Sequence, residues 1–124
     1  MADYRTMVTA MKNLTQTTGT GNNAVTVKLP MAEDEWDMRP DTESYGMVSM
    51  DLEGNQLNGD NMKVDRSYEG SVDLFSHVKS GAGWVDLIEG TLAAYCGPGW
   101  GLNSHQYERG TGLTHWEWTF RIAG

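Results

Sequence analysis

The sequence predicts an α+β protein, a small antiparallel or mixed sheet of about five strands with two helices, in the order α-β-β-β-α-β-β. Three observations lead to that class. Apolar residues near the N-terminus recur at helical spacing, and a second helical stripe follows Ser80. Between and after these stretches the periodicity drops to two, the signature of strands.

Asp3 to Gln16 reads as the first helix. Tyr4, Met7, Val8, Met11 and Leu14 share one side and Arg5, Thr9, Lys12 and Asn13 the other, until Thr17-Thr-Gly-Thr-Gly21 ends the pattern. Ala24 to Leu29 alternates as a first strand, with Val25, Val27 and Leu29 on its apolar face and Pro30 as its stop. Met31 to Glu43 is acidic, turns at Arg39-Pro40, and reads as a connecting loop with one large aromatic, Trp36.

Strand two runs from about Tyr45 to Leu52, with Val48, Met50 and Leu52 on one face, and strand three from about Tyr68 to Val78, with Val72 and Leu74 opposite Phe75. Glu53-Gly-Asn-Gln-Leu-Asn-Gly-Asp60 between them holds two turn signals, and Asn58-Gly59 is the stronger because both residues tolerate positive φ. The expectation is a long hairpin whose tip, at about 53–62, projects beyond the sheet. Ser80-Gly-Ala-Gly then leads into a second helix, where Trp84, Leu87, Ile88, Leu92, Tyr95 and Cys96 form a stripe that Gly97-Pro98 stops. A closing hairpin joins Trp100–Tyr107 to Leu113–Ile122, with Trp116, Trp118, Phe120 and Ile122 expected in the core.

At 124 residues the chain fits one domain, residues 1–124, and is too apolar and aromatic for disorder. Seventeen acidic against nine basic residues give a formal charge of −8. Nucleic-acid binders cluster Lys and Arg to release counterions, so specific nucleic-acid binding is not expected. Apolar runs are short and the first residues lack a signal peptide's apolar core, which predicts a soluble protein made in the cytoplasm without a membrane partner. A single cysteine, Cys96, excludes an internal disulfide scaffold.

Motifs for chemistry are weak. Gly19-Thr-Gly21 follows a helix and lacks the Lys-Ser/Thr of a phosphate loop. Cys96 lies at a helix end, where a thiol is usually a small core residue. Asp51 and Asp73 would form a carboxylate dyad if strands two and three brought them together. His105 and His115 lie about symmetrically around the Glu108–Gly112 turn, and Glu117 shares the His115 face, so a metal- or ligand-binding domain centred on these three is the alternative function. No cofactor, catalytic residue or enzymatic activity is expected.

The element order, together with Arg39-Pro-Asp-Thr-Glu-Ser-Tyr-Gly-Met-Val-Ser-Met-Asp51 and Gly70-Ser-Val-Asp-Leu-Phe-Ser76, resembles the tail terminator, tail-completion and head-tail joining proteins of bacteriophages and prophages. The resemblance implies a virion structural protein, assembled in the bacterial host cytoplasm. Its copies would form a ring, expected to be hexameric, that caps the tail tube and meets tube and neck proteins. A closed ring needs one subunit edge complementary to a different edge of the next. The candidate interface is the hairpin tip, namely Glu53, Asn55, Gln56, Leu57, Asn58, Asp60 and Met62, with Leu57 and Met62 as apolar anchors.

Overall fold

The computed structural model describes residues 4–36, 38–57 and 64–123. Among them are two helices and seven strands: α1 (Tyr4–Met11), β1 (Thr15–Thr18), β2 (Val25–Lys28), β3 (Met31–Glu33), β4 (Ser44–Leu57), β5 (Val64–Ser76), α2 (Trp84–Cys96), β6 (Trp100–Glu108) and β7 (Leu113–Ala123). The α+β class holds. The main sheet has five strands in the order β3-β4-β5-β7-β6, and β1 and β2 form a separate two-stranded ribbon. β3 runs parallel to β4, and the other pairs are antiparallel.

Both helices cover one face of the sheet. Tyr4, Met7, Val8 and Met11 of α1 and Trp84, Ile88 and Leu92 of α2 are buried against Val48, Val72, Leu74, Trp116, Trp118, Phe120 and Ile122. The β7 alternation therefore places its aromatic residues as its period of two dictates. Trp118, fully buried, keeps its indole donor satisfied by Glu89 Oε2 of α2 at 2.9 Å. Tyr4 stacks on Tyr68 at 5.6 Å, but its buried hydroxyl has no hydrogen-bond partner among the described residues, and burial pushes its pKa up to about 12.

Several elements depart from the sequence expectation. The first helix ends at Met11, not Gln16, because Leu14 carbonyl turns to accept the Leu29 amide at 3.0 Å and Thr15–Thr18 pairs with β2. Val25 and Val27, which share the apolar face of their strand with Leu29, are 57% and 52% exposed because the ribbon stands outside the main sheet. Part of the expected acidic loop is strand: Met31–Glu33 adds to the edge of β4.

The central hairpin is longer than its turn signals imply. Pairing continues through Leu57↔Val64, five residues past the expected end of strand two. Within it a β-bulge lies between Met50 and Leu52, shifting the register so that Leu52 pairs with Glu69 and breaks the alternation begun at Val48. Gly70, opposite Met50, lies beneath Phe120 and against the Ser49 carbonyl, where an added Cβ would stand 2.8 and 2.0 Å from those neighbours. Only glycine permits that closeness. No described helix is long and apolar enough to cross a membrane.

Candidate functional site on the open sheet face

The face away from the helices is set by the same register that builds the core. Residues directly opposite one another on neighbouring strands share a face. One row therefore runs Tyr45, Phe75, His115, Gln106, and the next runs Met47, Asp73, Glu117, Ser104. Tyr45 and Phe75 stack at 5.1 Å, and Phe75 and His115 at 4.2 Å. Trp36 meets Tyr45 edge-on at 6.1 Å, so an aromatic ladder crosses from the β3 edge to β7.

Acidic groups flank that ladder. His115 Nε2–H donates to Asp73 Oδ1 at 2.7 Å, a diagonal pair across β5 and β7. The Asp73 hydrogen bond holds the imidazole above its ordinary pKa, with the charges of Asp73, Glu108 and Glu117 adding to it and partial burial opposing. Asn103, at the register shift between Leu102 and Ser104 in β6, donates to Glu117 Oε1 at 2.5 Å. This cluster carries one ionisable imidazole among carboxylates, which makes it sensitive to pH near neutrality.

The expected histidine pairing fails by one residue. His105 lies opposite Trp116 and stacks on it at 4.6 Å, while Gln106 lies opposite His115. A one-residue slip moves a side chain to the other face, so His105 and His115 point away from each other and do not converge with Glu117. Among the described residues, no group of three His, Cys, Asp or Glu side chains could hold a metal ion. Asp51 and Asp73 are likewise apart: Asp73 opposes Met47, and Asp51 lies at the bulge. Cys96, half-buried with Sγ 3.8 Å from Met7 Sδ, has its pKa pushed up to about 11 by burial, consistent with a packing role.

Of the candidate interface residues, Glu53, Asn55, Gln56 and Leu57 belong to β4, opposite Tyr68, Arg66, Asp65 and Val64. They are strand rather than turn. Asn58, Asp60 and Met62 lie outside the described residues. β7 pairs no further along β5 than Ala123↔Ser67, so the pairs from Asn55↔Arg66 to Leu57↔Val64 run beyond the third strand. β3 covers β4 only from Gly46 to Val48. Hence, among the described residues, β4 from Ser49 onward is bonded on its β5 side alone, and β6 forms the opposite margin of the sheet.

Two clefts lie on or beside the open face. One of about 540 Å³ lies at the bulge end, among Asp51, Glu69, Gly99, Gly101 and Arg121. The Arg121 Nε is 3.7 Å from Glu69 Oε1 there. The other, of about 300 Å³, lies beneath the Asp34–Trp36 segment. The sequence held two pointers to this second surface, Trp36 in the acidic segment and Phe75, an apolar residue off the core face of its strand. No protein-family model and no curated protein matches the chain.

Proposed function

We propose that this protein is a structural assembly subunit, a tail terminator or tail-completion component whose copies form a ring that caps a phage tail tube and joins it to the neck. The observation that carries the reading is the β4–β5 arm, which outruns β7 and leaves a long stretch of β4 with one bonded side. A strand edge with unmet amides and carbonyls is a ready site for a strand from a neighbour. The two margins of the sheet differ, β3 with the uncovered run of β4 on one side and β6 on the other, and joining unlike margins head to tail closes a ring when the rotation permits. A formal charge of −8 suits a channel wall along which DNA must slide without sticking.

Native mass measured by light scattering across a dilution series tests the reading, with electron microscopy to look for annular particles. The full chain is expected to form a discrete oligomer. Joining Gly54 to Ser67 through an Asn-Gly turn should leave a folded protein of lower mass. A wild-type chain that stays monomeric at every concentration removes the assembly reading, and a shortened chain that assembles normally removes the arm as the interface.

A further inference from the structure

The chain crosses from the β3 edge onto the open face through a turn at Asp34, whose φ of 69° is left-handed. Asp tolerates that region better than most residues because its short side chain can bond locally. The Asp34 amide donates to the Val48 carbonyl at 2.8 Å and the Glu35 amide to the Glu33 carbonyl at 2.8 Å, so the turn is anchored. It lays Trp36 against Tyr45 with the ring planes at 87°.

Tyr45, Met47 and Phe75 line the resulting cleft of about 300 Å³ together with Trp36, and Asp34, Glu35 and Arg39 complete its lining. Tyr45, buried with one face stacked on Phe75, backs the cleft, and the half-buried Trp36 ring beside it presents the aromatic surface that attracts cations. Two carboxylates beside that surface add Coulomb attraction, against one guanidinium. The volume is at the small end for ligand sites, a fit for a head group or the end of a side chain. Trp36 Nε1 is buried and has no hydrogen-bond partner among the described residues. A buried donor in that state is costly.

We propose that this cleft is a receptor for an organic cation, an alkylammonium or guanidinium group. A small quaternary ammonium such as choline and the lysine or arginine of a protein partner share that chemistry. Arg39, exposed and part of the same lining, repels such a guest. The site does not depend on the ring reading.

The test uses the full chain labelled with nitrogen-15. The indole N–H resonance of Trp36, identified by its loss in Trp36→Phe, is followed during titration with choline chloride, with an N-acetyl-lysine amide, and with sodium chloride at matched concentration. A saturable shift is expected with at least one organic cation and not with sodium. Asp34→Asn keeps a residue that tolerates the left-handed turn while removing charge, and together with Glu35→Gln it should weaken binding about threefold or more. Arg39→Gln should tighten it about threefold, since one like charge is removed. Binding of choline alone assigns a small quaternary ammonium, and binding of the lysine amide alone assigns a partner's side chain. An unmoved Trp36 resonance in both arms, a shift that sodium reproduces, or affinities unchanged by Asp34→Asn and Glu35→Gln in folded protein would overturn the proposal.

Discussion

The His115–Asp73 pair shows what a single contact can do to the whole stability curve. The imidazole binds its proton more tightly in the folded chain than at its ordinary pKa of 6.5. Its stabilising contribution is therefore complete below the unfolded value and is lost as pH rises through the raised folded one. Thermal unfolding followed at steps from pH 5.5 to 8.5 should show Tm declining toward the alkaline end. His115→Gln should flatten that decline, and an equal slope in the two proteins would mean the pair is not formed in solution. The sequence displayed Asp73 and His115 as separate acid and base, and what joins them is the β5–β7 register, which no local pattern encodes. The same reason hid the separation of His105 from His115: symmetry about the turn is off by one residue, and one residue decides the face.

At the scale of elements, period located the segments that carry an apolar side, but not which of those sides meets the core, as exposed Val25 and Val27 show. The Trp116, Trp118, Phe120 and Ile122 series and the Tyr4, Met7, Val8 and Met11 stripe lie where their spacing placed them. Thr15–Thr18 carried no apolar alternation, so its strand arises only from pairing with β2. Met31–Glu33 is too short for a periodic signal and exists because β4 offers an edge beside it. The aromatic ladder was half visible, in Phe75 and Trp36, but its order depends on three pairings at once. Gly70 gives the central hairpin a sharp test. Gly70→Ala should cost roughly 2 kcal/mol or more, since its Cβ would meet the Ser49 carbonyl, a backbone atom that cannot swing aside. Gly101→Ala, with open space around the added carbon, should change stability by less than about 1 kcal/mol. Urea unfolding of the two variants measures the contrast, and equal losses would place the hairpin's close approach elsewhere.

For the molecule as a whole, charge and shape pull in opposite directions. Each copy carries −8, so long-range repulsion opposes the gathering of like subunits even where their margins match. Salt screens that repulsion within about 10 Å at 0.1 M, leaving short contacts nearly intact. Raising sodium chloride from 20 to 300 mM, about a fourfold fall in screening length, should therefore shift the chain toward the proposed oligomer at fixed protein concentration. Sedimentation velocity reads that shift, and dissociation by salt would instead point to an interface held by opposite charges. The unlike margins of the sheet, β3 with the uncovered run of β4 on one side and β6 on the other, have one more outcome. Copies joined through them all face the same way around, so any particle they build inherits a direction from its first joint, and its two ends greet different neighbours.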